Sequence, residues 1–443
     1  MRLAILVILP LSFTVIIITY IVLRQTILDI SYPGRNPWPL FLYLEIFLIL
    51  VPINIVSVVG IENVTIIYIK AKDIDLIASI LVLSTLLVLI LFLSILLRTF
   101  NLHINIVQSP NDFSHPVFER IDKFALSLTL LGFILLFIFW FFNYKHAFIS
   151  SLLTNQSLIV ARLKNKYYSR VPSQLSAILF VTGYLLFGSS GFISKRFYKK
   201  SILYFVAALL FVSASGDKAP ILKGFIIWLF SNGSFLPQRL WSFKYILVSI
   251  LNIFLLFSLL YFVVSLQIPD LTVYSYFIYL FNRIGVGQMA GVFETLGLAS
   301  TEMLPSGKFY WHLVPGARIF VDYVDYQKAL MMVVEGYEYT QMGVKNTYFI
   351  AEAYAIGGVV FALFSSIIVA FSLSFSLLIL IKLFRRILSR EIGPHFALLV
   401  WTQSFSLTGG FASFPLFKGL ILILLYLIPI IVLYVLFCRI KRS

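Results

Sequence analysis

The chain is predicted to be an all-α, polytopic integral membrane bundle, on three observations. Of its 443 residues, 60% are hydrophobic and only 12% are charged. Soluble domains carry roughly 25% charged residues. The apolar residues fall in uninterrupted runs of about 20, the length of helix that crosses ~30 Å of hydrocarbon. The charges gather in the connections between those runs. The formal net charge of +16 suits anionic lipid head groups or an anionic substrate. Set in this apolar background, it does not point to nucleic acid. Cys438 is the one cysteine, which rules out an internal disulfide.

Taken in order, Leu3–Leu23 is the first span, flanked by Arg2 and Arg24. No small-residue cleavage motif follows it, so it is expected to be retained. Pro39–Val59, Leu76–Leu97 and Phe124–Phe142 follow, with Trp38 and Trp140 as interfacial anchors. The remaining apolar runs are Gln174–Ile193, Ser201–Ser215, Pro220–Phe230, Tyr245–Leu266, Val359–Ile381, His395–Ser413 and Lys418–Phe437. The total is about eleven crossings, within a range of about 10–12, because the shorter runs are marginal. We treat residues 1–443 as a single membrane domain with two larger loops, 143–173 and 267–345.

Three basic clusters orient the chain. They are Lys195, Arg196, Lys199 and Lys200; Lys382, Arg385, Arg386 and Arg390; and Arg439, Lys441 and Arg442. The positive-inside rule places all three in the cytoplasm. Counting spans then puts loops 143–173 and 267–345 outside, and Arg24–Pro37 and Arg98–Lys123 inside. Loop 143–173 breaks the rule, with Lys145, Arg162, Lys164, Lys166 and Arg170 and no carboxylate. Either the span count is off, or an external basic surface is kept because it binds an anion such as pyrophosphate.

The candidate site residues lie mostly in and around loop 267–345. Ser215-Gly216-Asp217-Lys218-Ala219-Pro220, outside that loop, is a tight turn into a helix. Its free N–H groups and Lys218 suit an anion, and a plain capped hairpin fits the same residues. Arg283 follows the aromatic run Tyr274–Phe281, whose spacing predicts an amphipathic interfacial helix. It can bind phosphate oxygens bidentately or simply snorkel at a helix end. Phe309–Arg318 combines aromatic rings with His312, which can shuttle a proton, and with Arg318. From Asn346 to Ile381 the apolar run would be ~50 Å long, too much for one straight crossing. A bend is therefore expected at Gly357-Gly358, with a lateral or re-entrant helix before it. That leaves Glu352 among apolar neighbours near the outer face, as a general base or as the partner of a loop arginine. No Walker loop, zinc spacing, Gly-rich dinucleotide signature or Asp-x-Asp pair occurs, so no metal, nucleotide or other cofactor is expected.

These pieces in this order resemble the O-antigen and oligosaccharide repeat-unit polymerases of bacterial inner membranes (the Wzy type). The resemblance rests on the basic loop around Arg162, the turn Gly216-Asp217-Lys218-Ala219, the Arg283 segment and Glu352-Ala353-Tyr354-Ala355-Ile356-Gly357-Gly358. The last is similar to an E-x-Y-x-x-x-G pattern, and Lys218 stands where the family usually has Arg. The resemblance implies a GT-C-like glycosyltransferase of the inner membrane, active at its periplasmic face. It implies transfer of a growing glycan from undecaprenyl pyrophosphate to a lipid-linked repeat unit. It also implies Glu352 and His312 as catalytic residues, and Arg162, Arg170, Lys218, Arg283, Arg318 and Tyr354 as substrate-binding residues. Its expected partners are the lipid-linked glycans, membrane lipids and a chain-length regulator. An O-antigen ligase shares much of this layout. A lipid-linked glycan flippase or transporter is the third possibility, although internal repeats and charge-lined spans are not evident. In a Cys438→Ser background, cysteines at Ser169 and Ser306 should react with a membrane-impermeant thiol reagent in intact spheroplasts. Protection of both until lysis would reject the external placement of the two loops.

Overall fold

The computed structural model describes residues 3–31, 36, 38–71, 73–107, 271–304, 309–314, 320–322, 325–336, 346–387, 390 and 393–414. It also describes Leu251, Phe254, Phe257, Ser258, Tyr261, Val264 and Ser265. The expected spans Phe124–Phe142, Gln174–Ile193, Ser201–Ser215, Pro220–Phe230 and Lys418–Phe437 lie outside the described residues, as does loop 143–173. Among the described residues the structure is helical and holds no strand beyond an isolated bridge between Thr26 and His103.

The helices are α1 (Leu3–Leu23), α2 (Leu40–Val59), α3 (Ile74–Thr99), α4 (Val273–Leu280), α5 (Ala290–Ser300), α6 (Tyr326–Glu335), α7 (Ile350–Ile387) and α8 (Gly393–Ser404). Four of them, α1, α2, α3 and α7, are long and apolar enough to cross a membrane. The first three match the expected spans to within two residues at each end. Helix α1 shows what solvent it is made for. Its buried stripe, Ile8, Ser12, Val15, Thr19 and Leu23, includes two hydroxyls, while its exposed face, with Leu6, Leu9, Phe13, Ile17 and Ile21, is apolar apart from Thr14 and Tyr20. Water would reverse that distribution; lipid favours it. The buried hydroxyls turn back on their own helix, as when Thr19 donates to the Val15 carbonyl at 2.7 Å and Ser57 to Ile53 at 2.7 Å. Those two hydroxyls then need no water.

The chain divides into two compact units, one of them formed by residues 1–31, 38–107 and 277–424. In it, α3 packs on α1, α2 and α7, and α7 packs on α8. The other unit includes residues 271–276. There the Tyr276 hydroxyl donates to the Phe257 carbonyl at 2.9 Å, and its ring meets Tyr261 edge-on at 5.1 Å. Helix α4 exposes Tyr274 and Phe277.

Two expectations are corrected. Residues 267–345 are not simply a polar surface loop: Ala290–Leu298 of α5 is buried throughout and packs on α3, α6 and α7. Small residues make that insertion possible. A Cβ on Gly291 would overlap Thr347, and one on Gly297 would lie 2.9 Å from Ile69 Cγ2. The run His395–Ser413 is not one membrane-length helix either. Helix α8 has 12 residues, and the chain then leaves helical geometry until the 3-10 turn Phe411–Ser413. The bend in the long run is where the glycines put it. Helix α7 has 38 residues and breaks at Gly357 and Gly358, the latter at φ 68° and ψ −163°, a conformation essentially confined to glycine.

The contacts also bear on orientation. Counting spans put Arg24–Pro37 and Lys382–Arg390 on the same, cytoplasmic side. At ~1.5 Å per residue, Glu45 would then lie about 8 Å from that face, and Ser406, beyond α8, about 20 Å. Yet Ser406 Oγ sits 3.1 Å from both Glu45 carboxylate oxygens. The two depths agree, at about 10 Å, when α2 starts from the opposite face. Arg98 also donates to the Val22 carbonyl at 3.0 Å, which pairs the ends of α1 and α3. The Arg24 and Arg98 connections therefore lie toward one end of this unit and the Lys382–Arg390 turn toward the other. In a Cys438→Ser background, cysteines at Asn101 and Arg390 should label from opposite sides of the membrane. Labelling of both from one side would restore the original count.

Candidate functional site

The head of α7 is set by the segment before it. The Asn346 carbonyl accepts from Gly291 N–H at 3.3 Å, and its side-chain amide donates to Gln288 Oε1 at 3.3 Å. Thr347 accepts from Gln327 Nε2 at 3.1 Å. Phe349 donates its backbone N–H to the Leu407 carbonyl at 3.3 Å. Tyr348 and Phe349 are fully buried, and Phe349 meets Phe414 at 5.7 Å. Glu352 therefore lies in the first turn of a helix whose entry is fixed on three sides.

Glu352 is completely buried. Its Oε2 accepts the backbone N–H of Ala412 at 3.0 Å. A Cβ on Gly410 would stand 2.5 Å from that same oxygen and 3.6 Å from the Gln327 side chain. The carboxylate is thus seated under the loop that follows α8, in a recess that only glycine leaves open, with the Gln327 amide alongside. A buried carboxylate is tolerable when charge-assisted bonds replace its hydration.

A second buried carboxylate lies on α5. Glu294 is fully buried, and its Oε1 accepts Tyr68 N–H at 3.1 Å. Beside it, Thr295 donates to the Gly291 carbonyl at 2.6 Å and shares a 2.7 Å bond with the Tyr326 hydroxyl. Thr295 has one proton, so Tyr326 is the donor of that shared bond. Burial pushes the Tyr326 phenol well above its ordinary range, and the negative fields of Glu352 and Glu294 add to the rise. Tyr326 is therefore a neutral donor held in the field of both carboxylates. Its helix begins with Asp325 accepting from Gln327 N–H at 3.1 Å, and ends at Gly336 with φ 68°. Those are the caps expected at the two ends of a helix.

The remaining candidates are placed as follows. His312 lies in the 3-10 turn Phe309–Leu313, which packs against α7 and the turn Phe411–Ser413. Phe309 anchors it by meeting Tyr326 edge-on at 5.1 Å. The backbone thus brings the His312 segment to the same loop that seats Glu352. Tyr354 is half-buried, two residues further along α7. Arg283 occupies a π-helical turn, Phe281–Val286, that packs on α2, with Gly285 against Ile55. Single π-turns are frequent at functional sites. Arg162, Arg170, Lys218 and Arg318 lie outside the described residues.

Sequence reasoning missed Glu45, Glu294, Tyr326, Gln327 and Gly410. The available signals were a lone acid inside the span 39–59, which is a functional-site candidate by default, and the doublet Gly409-Gly410 inside another apolar run. What the fold and this site define is a helical membrane protein with buried carboxylates around a broken helix. No protein-family model, no curated protein and no solved structure matches the chain.

Gly410→Ala tests the recess. The added methyl should meet Glu352 Oε2 and lower stability by about 1–3 kcal/mol, the usual cost of overpacking. Glu352→Asp in the same protein, with its shorter side chain, should recover part of the loss. Thermal unfolding in detergent reads both, and a Gly410→Ala protein that melts like wild type would contradict the recess.

Proposed function

We propose that the chain is a membrane glycosyltransferase that polymerises undecaprenyl-pyrophosphate-linked repeat units into a surface polysaccharide, at the periplasmic face of the bacterial inner membrane. One observation carries the reading. Glu352, first residue of the Glu352-x-Tyr354 pattern, is a fully buried carboxylate in the first turn of α7, held between the loop after α8 and the segments bearing Gln327 and His312. An acid kept inside a membrane protein, on a helix that breaks a few residues later, is placed for chemistry rather than solubility. It suits the role of accepting the acceptor hydroxyl's proton or of orienting an arginine. Departing pyrophosphate needs positive charge in place beforehand, which Arg283 and the basic residues of loop 143–173 supply in this reading. Metal and nucleotide have no step in it. Glu45, Glu294 and Glu352 accept backbone N–H groups, which fits fixed architecture better than the passage of a transporter.

Purified protein supplied with a lipid-linked repeat unit alone should give a ladder of longer glycans. Consumption only when lipid A core is added would identify a ligase, and movement across a vesicle membrane without covalent change would identify a transporter. Arg162→Ala and Arg283→Ala should abolish the ladder with protein still in the membrane, and Lys at either position should restore it only in part. Glu352→Gln preserves an acceptor for Ala412 N–H but not the charge. It should lower turnover about 100-fold or more, the scale of a lost general base. Near-normal turnover in that variant would remove Glu352 from the site.

A further inference from the structure

We infer that Glu45, on α2, is a positioning residue that sets the place of the Glu352 carboxylate by anchoring the far end of the loop that covers it. The inference rests on the reading of Glu352 as the site's carboxylate. Its grounds are geometric. The Ser406 hydroxyl is 3.1 Å from both oxygens of Glu45, and Leu407 donates its backbone N–H to Oε2 at 2.9 Å. Thr408 joins the cluster through a 2.9 Å bond between its hydroxyl and that of Ser406. A few residues on, the same loop closes over Glu352 with Gly410 in contact and Ala412 N–H bonded at 3.0 Å. Two carboxylates from helices 307 positions apart in the chain, roughly, thus grip one short non-helical segment (a separation of this order makes the pairing a tertiary feature, not a local one).

The physics gives the grip a purpose. Buried backbone outside a helix, as at Leu407 and Ala412, has N–H groups with no intrahelical acceptor, each costly to leave unmet. Carboxylates are the strongest side-chain acceptors for them. The segment between the two anchors contains Gly409-Gly410, the least restrained residues available. Without Glu45, the contacts of the Gly410 side of the loop would be held from the α7 side alone. Because the recess over Glu352 has no spare room at Gly410, any shift of the loop moves the carboxylate or the N–H that orients it. Displacements near an ångström are enough to cost catalysis.

The test uses the full-length protein with a lipid-linked repeat unit. Glu45→Ala should lower kcat by about tenfold to a hundredfold, the scale of a misplaced catalytic group, with KM changed less than about threefold, since no substrate contact is removed. Glu45→Gln should recover most of the loss: its amide oxygen can take Leu407 N–H, and its NH2 can donate to Ser406 Oγ. An unchanged kcat in Glu45→Ala, or a loss that Gln does not recover, would overturn the inference. A second measurement separates it from the proposed activity. The thermal unfolding of Glu45→Ala, Glu352→Ala and the double variant forms a cycle. With both anchors on one loop, the double variant should melt little below the worse single variant. Additive losses in melting temperature would overturn the positioning role even in an active enzyme. Wild-type protein inert toward the lipid-linked substrate would instead reject the polymerase reading and leave the cycle to judge the coupling.

Discussion

The arrangement depends on one constraint: backbone that leaves a helix against a packed bundle must find its hydrogen-bond partners inside the protein. Residues 405–410 leave helical geometry immediately after α8. Leu407 N–H goes to Glu45, its carbonyl to Phe349 N–H, and Ala412 N–H to Glu352. Had α8 continued as a helix, none of these bonds would be needed and neither acid would have a reason to be in the bundle. Ionisable side chains and irregular backbone are here two halves of one solution. The site is therefore inseparable from the fold, since the group best placed for chemistry also completes the backbone of the loop above it.

Close packing of unlike elements is the second requirement, and glycine meets it. Helix α5 approaches the 346–348 segment through Gly291 and the connection before α3 through Gly297. With a side chain at either position, α5 would stand off, and Glu294 would lose its reach to Tyr68 N–H. The break at Gly358 has a different cause. No atom lies within 4 Å of where its Cβ would be, so glycine is required there by backbone conformation alone. Space decides at Gly291, Gly297 and Gly410, and torsion decides at Gly358.

How much of this was legible in the sequence follows from which signals are local. Spans α1, α2 and α3 were, because twenty apolar residues between polar flanks have few other meanings. The break at Gly357-Gly358 was, because the run is too long to cross straight. Helix α5 was not. Its sequence AGVFETLGLAS carries an acid and two glycines, which resembles a loop until its neighbours are known. The loop after α8 was not, because Phe405–Phe414 is apolar enough to pass for the rest of a span. Its aromatic side chains pack inward, with Phe405 stacked on Phe414 at 6.1 Å and Phe411 edge-on to Phe361 at 5.6 Å. Hydropathy cannot tell a helix in lipid from a loop buried in protein. Glu352 stood out because it opens a run, whereas Glu45 sits within one, where only its tertiary partner explains it.

The electrostatics around Tyr326 extend this reasoning from the loop to the interior. Glu352 and Glu294 both act on one phenol, which burial keeps protonated and which donates to Thr295. Negative charge on either acid makes losing the phenol proton harder, so Tyr326 remains a donor wherever the acids are ionised. A raised phenol pKa stabilises the fold fully below the unfolded value near 10, and that contribution fades as pH rises above it. Through the neutral range the phenol is therefore a fixed dipole and not a titrating group. It ties α6 to α5, and Gln327, the next residue, carries that tie to Thr347 and to the recess at Glu352. The acid at the head of α7 is thus held through neutral donors and backbone N–H groups on this side and through the Glu45-anchored loop on the other, which fixes its position. A fixed position is what the proposed proton-accepting role requires.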